Sequence, residues 1–190
     1  MKKNTLSFVL VASALVGTMF VAPSCNKGKT NTTEKTQELI TGNLSFEIPI
    51  HPSNGESDSL TSFFYKVNMD SLVKSYDAKY DTSSIRSVQL RSCVLTFPDN
   101  TTTDNFRNFH TTIIGVTSGT NKYLTRIAAK VDIVDTAAYV LNLNKEYEPN
   151  LASYFKADSV CYRLFGNFRR GTTMPLNCNA TITYDMVLSK

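Results

Sequence analysis

His51 and His110 are the chain's only imidazoles, and so its only side chains that trade a proton near neutral pH without a strongly perturbing environment. Either one beside a carboxylate would make a general base, and the two together would supply half of a zinc site. The 190 residues contain no HExxH, no CxxC and no GxSxG, and neither an EF-hand nor a phosphate loop. Gly115-Val116-Thr117-Ser118-Gly119 approaches a turn but lacks the strand-to-helix flanks of a nucleophile elbow. The nearest carboxylate pair is Asp132 and Asp135, and two strand residues three apart point to opposite faces, which suits solvation better than paired acid and base work. The sequence therefore supports no catalytic residue, no metal ligand set and no cofactor. A small hydrolase using His110 or His51 with a nearby carboxylate is the alternative it leaves open.

Aromatic side chains are the next handle. Phe63, Phe64 and Tyr65 are consecutive, so at least one ring must face away from whichever side is buried. A glycan-capture subunit or surface adhesin would gather such rings on loops at one end. The absence of Trp, the ring best suited to stacking on sugars, weighs against it.

Cysteine usage depends on where the chain is delivered. Lys2 and Lys3 precede an apolar run from Leu6 to Val21, and small residues stand at Ala22 and Ser24, so residues 1–24 read as a secretory signal. The formal charge of +4 then misleads: removing Lys2 and Lys3 leaves 18 basic residues against 16 acidic ones, or +2. No basic run exceeds Arg169-Arg170, which excludes nucleic acid as a partner class. Export places the remaining thiols in an oxidising compartment. Two states stay open for them: a Cys161–Cys178 bridge with Cys93 as the buried free thiol, or three ordinary buried cysteines.

The elements that would position these residues read as β-structure. Residues 26–42, polar and without a sustained apolar period, read as a solvated tether, and 43–190 as one domain. Leu44, Phe46, Ile48 and Ile50 alternate with polar partners, and Pro49 assigns that strand to an edge. His51 to Ser59 reads as a loop, 62–69 as a strand, and Asp70-Ser71 as a cap for a short helix carrying Leu72, Val73 and Tyr76. In 85–97 the apolar set changes phase between Leu90 and Cys93, which predicts a β-bulge. Further strands fall at 106–116, 123–134 and 136–143, with a helical turn at 151–155. Residues 159–168 and 176–188 read as a closing hairpin that would set Cys161 against Cys178. This predicts an all-β, two-sheet antiparallel sandwich, immunoglobulin-like or jelly-roll-like, with one or two short helices. Loops held by such a core are the natural binding surface, with Asn54-Gly55, Asp99-Asn100 and Ser118-Gly119 as candidates.

Val21-Ala22-Pro23-Ser24-Cys25, with the polar run after it, resembles a bacterial lipobox of the kind found in lipoproteins of Bacteroidota. The resemblance implies that Cys25 is acylated and anchors the chain to a bilayer; cleavage after Ser24 without acylation, or an uncleaved anchor, would be the plainer outcomes. The strands IRSVQLRSCVLTF and KYLTRIAAKV, the LASYF turn and the alternating last strand are likewise similar in pattern to uncharacterised β-sandwich lipoproteins of that group. In some Bacteroidota lipoproteins an acidic cluster just after the cysteine directs export to the cell surface. Here the first acid is Glu34, so the resemblance implies an outer-membrane lipoprotein facing the periplasm, with surface exposure as the other outcome. Asp58-Ser59-Leu60, Asp70-Ser71-Leu72, Asp135-Thr136-Ala137 and Asp158-Ser159-Val160 resemble that group's acceptor for O-glycosylation at Ser59, Ser71, Thr136 and Ser159, though Asp-Ser is also a turn and cap pair. The reading that results is a membrane-anchored, non-catalytic binding or structural module whose partner is an envelope protein or glycan.

Overall fold

Alternating side chains become nine strands among the described residues: β1 (Lys35–Ile40), β2 (Leu44–Ile48), β3 (Gly55–Lys66), β4 (Ile85–Thr96), β5 (Phe109–Ser118), β6 (Thr125–Lys130), β7 (Val140–Lys145), β8 (Ser159–Phe168) and β9 (Leu176–Leu188). The computed structural model describes residues 34–52, 55–99 and 103–190. The strand order is β1-β9-β4-β7-β6-β5-β8-β3, with β2 following β1 along the same edge of β9. All of these pairings are antiparallel. The all-β antiparallel sandwich is thus present. Its layers are β1/β2-β9-β4-β7 and β6-β5-β8-β3, and pairing of Ala128 with Lys145 and Ala129 with Asn144 joins them into one curled sheet.

β9 is the spine because its alternation is complete. Leu176, Cys178, Ala180, Ile182, Tyr184, Met186 and Leu188 are all buried. Burial of each large apolar side chain among them stabilises the fold by about 1.5–3 kcal/mol. The phase change in β4 is a bulge: Leu90 lies opposite Tyr184 and Ser92 opposite Thr183, so Arg91 is the extra residue. Arg91 donates to Glu38 on β1 at 3.0 Å and to Asp185 on β9 at 2.5 Å. β2 stops before Pro49 and lies on an edge, as its proline predicts.

Beside the bounds of β6 and β7, which leave Asp132 and Asp135 in the connection between them and not in a strand, four expectations are corrected. Residues 35–40 are not tether but β1, which a sequence scan misses because Leu39 is the only fully buried residue in KTQELI. Between Ile40 (opposite Thr183) and Leu44 (opposite Ala180), β1 and β2 gain one residue on β9, and Gly42 absorbs it at φ +69, a conformation that a side chain would strain. β3 begins at Gly55, inside the stretch read as a loop, because residues 55–57 pair through their backbones with 166–168 of β8. Helix α1 (Met69–Tyr76) is capped by Asn68 rather than Asp70, with Asn68 accepting from the Ser71 N–H at 2.9 Å.

The fourth correction concerns the hairpin. β8 pairs with β3 and β5 and β9 with β1, β2 and β4, so residues 169–175 cross from one layer to the other. Cys161 therefore lies opposite Phe64 and Thr117, and Cys178 opposite Phe46. The two do not face each other across a ladder, and Cys93, Cys161 and Cys178 are free thiols. Burial pushes the Cys93 and Cys178 thiols up to about 12. Between the layers Phe46 stacks on Phe63 at 4.2 Å and Phe63 on Tyr162 at 5.3 Å, while the Tyr162 and Tyr184 hydroxyls meet at 2.9 Å. Phe63 is the inward ring of its trio and Phe64 the exposed one.

Candidate functional site

Antiparallel pairing sorts the connections into two sets. The β2–β3, β4–β5, β6–β7 and β8–β9 connections emerge at one end, and the start of β1, the β3–β4, β5–β6 and β7–β8 connections and the C-terminus emerge at the other. Both histidines belong to the first end. The His51 ring stacks on Phe168 at 4.3 Å, while the His51 backbone N–H donates to Thr172 Oγ1 at 2.9 Å and the His51 carbonyl accepts from the Thr172 N–H at 2.8 Å. A Cβ on Gly171 would come within 2.6 Å of that carbonyl, so the close approach requires glycine. His51 serves as a packing lid between two loops.

His110, on β5, places Nε2 3.6 Å from Asp132 Oδ1, beyond hydrogen-bond reach, and the two side chains are 51% and 85% exposed. Solvent competes with such a contact. Asp132 holds a left-handed φ of 51, which aspartate tolerates in a turn. Asp135 turns away to Arg170, whose Nη2 contacts both carboxylate oxygens at 2.6 Å. The two aspartates thus engage different partners.

Beneath these groups the loops are tied to one another. Asp104 accepts from the Thr173 N–H at 2.5 Å, Thr173 Oγ1 at 2.7 Å and Asn108 Nδ2 at 3.0 Å. Burial opposes the charge on Asp104, but the bonds donated by Thr173, Asn108 and the Met174 backbone outweigh it and hold the carboxyl below its ordinary pKa. Asn105 caps the turn Phe106–Asn108 and accepts from the Ala138 N–H at 3.1 Å; Asn108 Nδ2 also donates to the Gly171 carbonyl at 3.0 Å. Arg169 reaches the carbonyls of Arg107 at 3.0 Å, Phe109 at 3.3 Å and Ile133 at 2.5 Å. Sequence reasoning passes over Asp104 and Asn105 as part of a Thr/Asn-rich loop and Asn108 as part of the strand read at 106–116, where the structure has a helical turn instead. Asn105-x-x-Asn108 ahead of an apolar strand was the available signal.

On this base stand Ile50, Val131, Val134, Val140 and Met174, each about half exposed or more. Met174 also borders a depression of about 90 Å³ shared with Phe97, Asp99, Pro175, Leu176 and Asn177. Of the candidate loops, those with Gly55 and Asp99 share this end and Ser118-Gly119 lies at the other; Asn54 and Asn100 fall outside the described residues.

The remaining candidates are dispersed. Ser59 is exposed on β3, Ser71 in the first turn of α1 and Thr136 in the β6–β7 loop, while Ser159 is half-buried where β8 pairs with Lys66. Cys25 lies outside the described residues. The SxxK spacing, which sequence reasoning missed, occurs at Ser24–Lys27, outside the described residues, and at Ser71–Lys74 and Ser153–Lys156; Lys74 Nζ bonds Asp70 at 2.5 Å, and Lys156 lies exposed beyond the Ser153 turn. Among the described residues no three His, Cys, Asp or Glu side chains gather as a metal site, and no helix is long and apolar enough to cross a membrane.

No family model matches the chain, and no curated protein matches it. Among solved structures it is similar to a chain from Desmodium yellow mottle tymovirus, at 15% identity over 100% of this chain and 96% of that one. The TM-score of 0.25 is too low for that likeness to carry an argument about either fold or function.

Proposed function

We propose that the protein is an exported, lipid-anchored binding module, held through Cys25 on the periplasmic side of the outer membrane, that engages an envelope protein or glycan without catalysis. The observation that carries this reading is the cross-tied end of four loops. It presents five apolar side chains to solvent at the end of the sandwich opposite Lys35, where an anchored chain would enter. Exposed apolar groups on a fixed base lose little conformational entropy on binding, which favours association. The charged groups around them hold loops: Asp104, Arg169 and the Asp135–Arg170 pair each have partners within the fold.

Two experiments test the reading. A clickable palmitate analogue should label the wild type and not Cys25→Ser; equal labelling would remove the anchor. The soluble chain should show no turnover on ester, peptide, phosphate and glycoside panels, with His51→Ala plus His110→Ala indistinguishable from wild type. Wild-type turnover lost in the double variant would replace the binding module with a hydrolase.

A further inference from the structure

The opposite end is built for a different contact. β1 begins there at Lys35, opposite Leu188 and with its Nζ donating to the Tyr76 carbonyl of α1 at 3.1 Å. The β5–β6 turn belongs to the same end and is fixed to the β7–β8 connection. Thr120 Oγ1 donates to the Ser153 carbonyl and Asn121 Nδ2 to Ser153 Oγ, each at 2.9 Å, and the buried Tyr154 hydroxyl donates to the Tyr123 carbonyl at 3.0 Å. From this anchored backbone the Tyr123 side chain stands 85% exposed, more than any other large apolar residue among those described, with Leu124 beside it at 42%. Lys122 precedes them, and Lys66 and Lys156 are exposed on the same end. None of these three takes part in an ion pair among the described residues, whereas Lys74 and Lys79 of the neighbouring α1 region are paired with Asp70 and Asp77.

A phenol ring on a fixed turn, next to an aliphatic side chain and unpaired ammonium groups, suits a lipid–water boundary. The ring sits at headgroup level with its hydroxyl wet, and lysine stems lie along apolar surface while their charges meet phosphates. We infer that this end rests on the bilayer, with Tyr123 and Leu124 at headgroup depth and Lys66, Lys122 and Lys156 facing anionic lipid phosphates. The inference rests on the lipid-anchored reading. The ten residue steps from Cys25 to Lys35 span at most about 33–36 Å. A tether that short keeps this end at high local concentration near the surface, so contacts too weak to recruit a free protein are enough to orient a tethered one.

The chain has no Trp, so Tyr123→Trp is a lone fluorescent reporter. The chain from Asn26 onward keeps the compact unit that holds every described residue. A hexahistidine tag at its N-terminus, bound to nickel-chelating lipid in vesicles of phosphatidylcholine and phosphatidylglycerol, stands in for acylated Cys25 whether or not cells acylate it. The Tyr123→Trp emission should shift to the blue on these vesicles and be quenched by brominated acyl chains. A Val134→Trp reporter at the far end should do neither, and adding Lys122→Glu and Lys156→Glu to Tyr123→Trp should weaken both signals. An unshifted, unquenched Tyr123→Trp emission, or an equal response from Val134→Trp, would overturn the inference. Failure of the anchor itself would appear separately, as absent palmitate labelling in cells.

Discussion

Replacing Arg169 with Met keeps most of the side chain's stem and deletes the guanidinium that ties the β8–β9 loop to the Arg107, Phe109 and Ile133 carbonyls. A hydrogen bond from a charged donor contributes about 1.5–3 kcal/mol where it is buried. Arg169 is only half-buried and the freed carbonyls are rehydrated in part, so the three bonds do not add at full value. We expect Arg169→Met to destabilise the domain by about 2–4 kcal/mol. Urea unfolding with an unchanged m-value reads the global loss. Hydrogen exchange reads where it falls: protection of the Phe106, Ile133 and Ala138 N–H groups, which bond across these loops, should drop more than that of β9 amides. Arg169→Lys, with one compact ammonium in place of a planar fork, should recover only part of the loss. Stability within about 0.5 kcal/mol of wild type, the ordinary range for a surface substitution, and unchanged loop protection would refute the idea that Arg169 ties this end together.

Tyr162→Phe or Tyr184→Phe alone should destabilise by about 1–3 kcal/mol, because the surviving buried hydroxyl loses its partner, and the double variant should cost less than the sum of the two; strict additivity in a double-mutant cycle would contradict the cross-layer bond. The Asp104 carboxyl has a lowered native pKa, so its contribution is present in full above the unfolded-chain value near about 4 and is lost as pH falls through the native value. Asp104→Asn should therefore flatten the stability–pH curve below about pH 4, and parallel curves would refute the assignment. On the thiols, mass spectrometry of the non-reduced native protein should find Cys161, the half-buried one, alkylated first, with Cys93 and Cys178 reacting only after unfolding; a Cys161–Cys178 bridge would contradict the crossing of residues 169–175 between layers.

What was legible in the sequence follows from how far each strand is buried. β9 and β4 bury one face in apolar side chains and carry mostly polar ones on the other, so their alternation, and even the bulge at Arg91, can be read directly. β1 buries Leu39 alone and the first residues of β3 pair through their backbones, so neither leaves a pattern to read. The false hairpin arose because proximity in sequence says nothing about which layer a strand joins; β9 reaches its partners β1, β2 and β4 over long separations. His51 follows the end of β2 and His110 lies within β5, positions that the strand pattern makes legible, whereas the polar base of the loop end leaves no such pattern. Asp104, Asn105, Asn108 and Arg169 act through carbonyls and N–H groups contributed by distant loops, and backbone partners have no residue signature.

The central claim, that the four-loop end is the binding surface, is tested most directly by site-specific photocrosslinking in living cells. A benzophenone side chain is placed at Val134 or Met174 on that end, and at Ser45 on the exposed face of β2 as a control. One discrete product should be shared by the Val134 and Met174 probes, absent with Ser45, and unchanged by His51→Ala plus His110→Ala. Crosslinking from Ser45 with none from Val134 or Met174 would contradict it.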